Sequence, residues 1–291
     1  MDKNPFSIYD SLGYVFPGAL TILLGQFVHY LRNEHLFLDW KNVFSFIESI
    51  TNDFGWEDSL IYILFAYIIG HIIAYCSSLT IEPYAVWRYG YPSKFMIRDK
   101  IEKDYFSVNE KEEDCFKIIC IKSWKLIVAL LVFPLFFCDR FFGKKLGLQV
   151  YYVKKLDDVM ILNIENKVKL LYKKLGLKEL NDLRHNDEDF FTVAYHYEYE
   201  KKSAHNRKMD NYVALYGFTR ALTFICNLCF HISFILIICN WSSISHLYSI
   251  IWLITLMFLT FIFFMSFMKF YRRYSLETLM CLVTDENLSD V

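Results

Sequence analysis

Glycine and proline are scarce in this chain, 10 and 5 among 291 residues. That scarcity argues against a β-barrel, which closes through many turns, and for helices, which satisfy their own backbone groups in lipid. Charge is missing over long stretches: residues 221–268 hold no Asp, Glu, Lys or Arg for 48 consecutive positions, and 12–31 and 59–79 are likewise uncharged. Catalytic signatures are missing too. There is no P-loop, GxGxxG, GxSxG or HExxH, and no arginine followed by histidine after four to six residues, so nucleotide hydrolysis, acyl transfer, zinc proteolysis and a common ribonuclease chemistry lose their usual supports. The paired acids Asp157 with Asp158, and Asp187 to Asp189, lie in runs that read as solvated helix caps. Cys226 and Cys229 have CxxC spacing but sit inside an apolar run without a second pair, which reads as a helix face and not as a metal site. The chain is therefore read as no enzyme, with no catalytic residue, no cofactor and no metal site. A small-residue cleavage signature is also lacking after the first apolar run, so that run is read as a retained helix.

What is present is apolar mass: 55% hydrophobic residues, 28 phenylalanines and 21 tyrosines. This is the balance of an integral membrane protein, and the fold class is all-α with four transmembrane helices. The N-terminal hairpin, 1–79, holds spans 12–31 and 59–79; the C-terminal hairpin, 221–268, holds spans 221–239 and 247–268. Residues 80–220 read as a helical domain inserted between the second and third spans, entered by a turn at Glu82 and Pro83, and residues 269–291 as a tail. The inserted stretch carries 25 Lys and Arg against 20 Asp and Glu, whereas the linker at 32–58 is acidic and the turn at 240–246 uncharged. By the excess of positive charge on the inner side, the domain, the N-terminus and the C-terminus are cytoplasmic and the chain is a multi-pass inner-membrane protein. Leu126 to Cys138 is uncharged for only 13 residues, too short to span; it is re-entrant, interfacial or buried.

The spans carry patterned faces. In the second, Ala66, Gly70, Ala74 and Ser78 recur every four residues beside Tyr67, His71 and Tyr75, so small side chains for close packing adjoin polar tips. The first repeats Gly13, Pro17, Thr21, Gly25 and His29, and the third Arg220, Thr223, Asn227 and His231. Thr21, His29, Tyr67, Gly70, His71, Ala74, Tyr75, Asn227 and His231 are the candidates for pore-lining or interhelical contact. In the inserted domain a helix at 156–175 has a basic flank. A second, starting at Asn186 or Asp187 and running towards Tyr216 before Gly217 separates it from the third span, interleaves aromatics with cations. Tyr195, Tyr199, Lys201, Lys202, His205, Arg207 and Lys208 on it could stack bases and pair phosphates, or could be ordinary interface and core residues.

The segments GYVFPG at 13–18, AYIIGHIIAYCSSLTIE at 66–82, YGYPS at 89–93 and LYGFTRALTF at 215–224 resemble those of bacterial membrane proteins encoded near anti-phage genes. The plan of two spans, a cytoplasmic domain and two more spans is similar to channel-forming effectors of such systems, for instance the membrane subunit of the Hailong system. The resemblance implies a homo-oligomeric pore in the lipid bilayer. It would be held shut until infection and gated by a nucleotide or oligonucleotide that a partner nucleotidyltransferase makes. The alternative is a non-conducting scaffold that recruits a soluble partner to the membrane.

Overall fold

The computed structural model of the chain describes residues 10–33, 45, 48, 56–98, 105, 115–177, 190–201, 204–239 and 246–288. Among these, every regular element is helical. A π turn, Ser11–Val15, leads into α1 (Phe16–Asn33); then follow α2 (Trp56–Tyr89), the short α3 (Pro92–Phe95), α4 (Cys115–Leu131) and α5 (Phe133–Cys138). A second π segment, Asp139–Lys145, and a 3-10 turn, Leu148–Tyr151, precede α6 (Asp158–Lys174), α7 (Phe190–Glu200), α8 (Ala204–Cys239), α9 (His246–Val283) and a last 3-10 turn, Glu286–Leu288. Four stretches are long and apolar enough to cross a bilayer: Ser11–Tyr30, Leu60–Phe95, His205–Cys239 and Ser249–Val283.

The expected boundaries at 79/80, 220/221 and 268/269 all fall inside continuous helices. The turn expected at Glu82 and Pro83 is absent: α2 runs through Pro83 to Tyr89. Proline costs a helix about 3 kcal/mol in isolation. Here Ile81, Tyr84 and Ala85 are buried on either side of it, and that packing outweighs the lost backbone bond. Gly217 likewise divides nothing, because α8 passes straight through it. The helix expected to run from 186 to 216 is instead two, with the break between Glu200 and Ala204, and its proposed caps at 186 and 187 lie outside the described residues.

The helix expected at 156–175 is α6, capped by the Asp157 carboxylate, which accepts from the Met160 amide at 2.8 Å. Its buried face is Ile161, Ile164, Val168, Leu171 and Tyr172, whereas the apolar side chains of Val159 and Leu175 are exposed. The basic flank is only partly solvated. Lys167 donates to the Asp285 and Leu288 carbonyls at 2.7 and 3.2 Å, and Lys174 to the Asn287 carbonyl at 3.2 Å.

One buried cluster joins the C-terminal end of α2, α3, α4–α5, α6, α7 and α9, with Phe264, Phe267, Leu279 and Leu282 as the contribution of α9. The stretch read as a tail after 268 is therefore core. α8 and α9 form an antiparallel hairpin: the Trp252 indole donates to Ser233 at 3.1 Å towards the end of α8 at Cys239, and Tyr216 stacks on Tyr271 at 5.0 Å towards the other end.

Candidate functional site

The small stripe of the second span is used within the chain. A Cβ placed on Gly70 would lie 1.9 Å from the Tyr14 carbonyl oxygen, and one on Gly18 would lie 1.7 Å from that of Ala66. Backbone meets backbone there, as small residues permit in lipid. The Tyr62 hydroxyl donates to the Ala19 carbonyl at 3.0 Å and extends the seam. The face that the first span offers is thus Tyr14 and Gly18. Of the expected stripe Gly13 and Pro17 are buried and Thr21 is half-buried, its hydroxyl donating to the Pro17 carbonyl at 2.8 Å, whereas Gly25 and His29 are exposed.

The two spans are also staggered, because Tyr14, near the start of the first, meets Gly70 and His71 at the middle of the second. His71 stacks flat on Tyr14 at 3.8 Å and edge-on to Tyr67 at 4.6 Å, yet remains exposed, as does Tyr75 at 66%. Tyr67 and Ala74 are half-buried. An exposed imidazole halfway along a span is costly against lipid unless something polar covers it.

The face read on the third span splits between two partners. Arg220 pairs with Glu82 of α2 and also donates to Ser77 at 3.3 Å. One turn to three turns deeper, Thr223 donates to the Thr219 carbonyl at 2.8 Å, while Asn227 and His231 both donate to the Leu131 carbonyl, the histidine Nε2 at 2.8 Å. That carbonyl ends α4. The helix breaks at Val132 and resumes in α5 with a 66° bend, and Pro134, having no N–H, leaves the Leu130 carbonyl without its helical donor. Polar residues of α8 therefore serve a broken helix, the situation in which irregular backbone is tolerated at membrane depth. The Asn227 side-chain oxygen is buried and has no partner among the described residues.

Where the broken helix returns lies a constellation that sequence reading missed. Asp139 is fully buried, and four donors converge on it. Tyr84 donates to Oδ2 at 2.9 Å and Arg88 Nε lies 3.3 Å from the same oxygen; Tyr152 at 2.8 Å and Tyr89 donate to Oδ1. Gly143 makes room, since a Cβ there would sit 2.7 Å from both Oδ1 and the Tyr152 hydroxyl. Burial, reinforced by the neighbouring Tyr89 and Asp139, pushes the Tyr152 hydroxyl far above the usual tyrosine range, so it remains a donor. A buried carboxylate is stable only with such a complete set of partners. The available signal was an acid set between Phe-rich flanks, FPLFFCDRFFG, in a chain whose YAVWRYGY segment supplies hydroxyls and a guanidinium.

The residues expected to bind an anion do gather, but Lys201, His205 and Lys208 already have acidic partners. Lys201 pairs with Glu198 at 2.9 Å and with Asp285, its ammonium 4.0 Å above the Tyr197 ring. His205 and Lys208 reach Glu277 at 2.7 and 3.4 Å, and Tyr199 donates to Asp210 at 3.3 Å. Tyr195 packs against Tyr199 and Tyr274 at 5.4 and 5.6 Å, and Arg207 is exposed. Lys202 lies outside the described residues. Two of the four answering acids come from the stretch read as a tail, which is why the sequence hid them. Among the described residues no three His, Cys, Asp or Glu could jointly hold a metal ion.

Burial raises the Glu198 carboxyl, with Lys201 pulling back. At Asp285 burial acts the same way, but the Lys201 ammonium and the Asn287 amide overcome it and hold the carboxyl below its ordinary range. A carboxyl lowered in the fold stabilises it above the unfolded value near 4, and the contribution disappears as pH falls through the lowered value. Either acidification below about pH 4 or Asp285→Asn at neutral pH should loosen the turn Glu286–Leu288, read as a few-fold faster amide exchange there, since partly exposed pairs contribute about 1 kcal/mol or less. Unchanged exchange in both cases would show that the Asp285 carboxylate does not hold the turn, leaving Lys167, Lys174 and the buried Leu288 as its attachment.

Comparison of the chain with protein-family models, with curated proteins and with solved structures finds no match.

Proposed function

We propose that this chain is the membrane subunit of a bacterial anti-phage effector, assembling as a homo-oligomer that opens a depolarising, ion-conducting pore in the inner membrane. The observation that carries the assembly step is His71, an imidazole in the middle of the second span that is exposed on the outer surface of the single chain with Tyr75 one turn away. A second copy, or water in a path shared between copies, answers that exposure. The phage-defence setting is supported by the resemblance of the four sequence segments. Tyr195, Tyr199, Lys201, His205, Arg207 and Lys208 form the input site, with Lys202 beside them. An anionic nucleotide or oligonucleotide made by a partner nucleotidyltransferase acts there by exchanging with Glu198, Asp210, Glu277 and Asp285. The acidic partners already held by Lys201, His205 and Lys208 favour a second reading, a scaffold that presents this surface to a soluble protein without conducting.

The test is membrane potential in bacteria expressing the chain with its neighbouring genes under phage challenge. Depolarisation by the wild type that is abolished or reduced at least tenfold in His71→Ala is the expected result. A steady potential in wild-type cells, with the protein inserted normally, would remove the pore and leave the scaffold.

A further inference from the structure

The broken helix can be placed in the membrane from contacts on the neighbouring spans. Arg220 lies opposite Ser77 and Glu82, and the two partners of the Leu131 carbonyl, Asn227 and His231, are seven and eleven residues further along α8. At 1.5 Å per residue the bend is therefore about 10 to 16 Å deeper than the Arg220 level. The arm before it starts shallow. Lys125 lies 6.0 Å from the Tyr105 ring, which packs at 4.9 Å on Trp87, five residues past Glu82 towards the α6 and α7 side.

The arm after the bend comes back on that same side. Cys138 is still level with the bend, where it reaches the Met257 carbonyl at 3.6 Å, but Asp139 beside it is bound by Tyr84, Arg88 and Tyr89, and Tyr152 packs on Tyr89 at 5.6 Å. By Leu156 the chain is out again, its amide donating to the Met96 carbonyl at 3.0 Å. A spanning helix would instead have carried Asp139 onward to the end where α8 stops at Cys239.

We propose that residues 115–145 form a re-entrant hairpin that enters and leaves a single leaflet from the α6 and α7 side, with lipid acyl chains as the occupant of its outer face. Leu130, Phe133 and Phe137 are 63, 55 and 55% exposed around the bend, at bilayer depth, and form that face. Lys122, Lys144 and Lys145 are exposed beyond the apolar part of both arms, where ammonium groups reach water and headgroups. The inner side of the hairpin is held at two points, the Leu131 carbonyl by α8 and Asp139 by α2, so the segment is fixed and not adrift in lipid. The inference concerns the single chain and holds whether or not copies assemble.

The experiment uses the native chain in sealed membrane vesicles of both orientations. Lysines are modified with a membrane-impermeant sulfonated succinimidyl ester and read by peptide mass spectrometry. Lys122, Lys144 and Lys145 are expected to react from the same face as Lys173 on α6 and to be protected together, at least tenfold, in the opposite orientation. Reaction of Lys144 and Lys145 from the face opposite to Lys122 would make the segment a fifth span and overturn the proposal. In the same vesicles a carbene-generating apolar probe should label the peptide holding Leu130, Phe133 and Phe137 as strongly as that holding Leu64 and Ile68. Failure of that labelling would show that protein and not lipid covers the hairpin, and would overturn the assignment of the occupant.

Discussion

Gly70→Leu should leave little folded protein in detergent. Insertion of extra atoms into a packed core usually costs about 1–3 kcal/mol, because side chains can turn aside. At this position the obstacle is peptide backbone: the first added carbon alone would lie 1.9 Å from the Tyr14 carbonyl oxygen and 2.5 Å from its carbon, and no rotamer removes it. The two spans must move apart along the Gly18 and Gly70 seam, with loss of the Tyr14 stack on His71 and the Tyr62 bond to Ala19. The expected loss therefore exceeds the usual range. Gly18→Ala, whose added carbon would lie 1.7 Å from the Ala66 oxygen, should show a similar defect. Gly217→Ala is the counterpart, since its Cβ meets nothing within 4 Å in the middle of α8; helix propensity should make it neutral or up to about 1 kcal/mol more stable. The reading is the midpoint of thermal unfolding in detergent with the monodisperse yield. A Gly70→Leu protein as stable as Gly217→Ala would mean that the seam does not exist.

This seam shows how far the sequence could be read. The second span announced it, because Ala66 and Gly70 at four-residue spacing are legible as a close-packing face without any knowledge of the partner. The first span misled, because Gly13, Pro17, Thr21, Gly25 and His29 form an equally regular series while the contact is made one residue away, at Tyr14 and Gly18. Tyrosine contributes there through its backbone, which no side-chain pattern records. The uncharged runs located four helices long and apolar enough to cross a membrane, since lipid acts on each residue separately. Their continuation was not legible. Pro83, Gly217 and the charges after Met268 are all stop signals locally, yet the helices continue because Tyr84, Met209 and Leu279 are buried by segments far away in the chain. Asn227 and His231 were recognisable as polar groups in need of partners. The partner is the Leu131 carbonyl at the break before α5, and its position depends on a bend that composition does not encode.

The second large effect belongs to Asp139, where the logic of a complete polar cluster can be tested by taking it apart. Asp139→Leu removes the acceptor shared by three hydroxyls and a guanidinium and leaves Arg88 without its counter-charge, the kind of change that costs about 3–5 kcal/mol. Asp139→Asn keeps the shape but replaces one accepting oxygen with a donor that faces donors, so it should lie between leucine and the wild type. Each of Tyr84→Phe, Tyr89→Phe and Tyr152→Phe removes one bond to the carboxylate and should cost about 1–3 kcal/mol. Gly143→Ala should mimic them from the outside by crowding Oδ1 and the Tyr152 hydroxyl together. The decisive comparison is between backgrounds. In a chain where all three tyrosines are already phenylalanine, the carboxylate has lost most of its support, and replacing it with leucine should cost at least 1 kcal/mol less than in the wild type, because partners in one network are not additive. Equal costs in the two backgrounds, read from thermal unfolding in detergent, would show that the hydroxyls are neighbours of Asp139 without holding it, and the return arm of the hairpin would then owe its position to Cys138 at the Met257 carbonyl and to Phe142, whose ring packs on Phe258 and Phe261 of α9 at 5.9 and 5.6 Å.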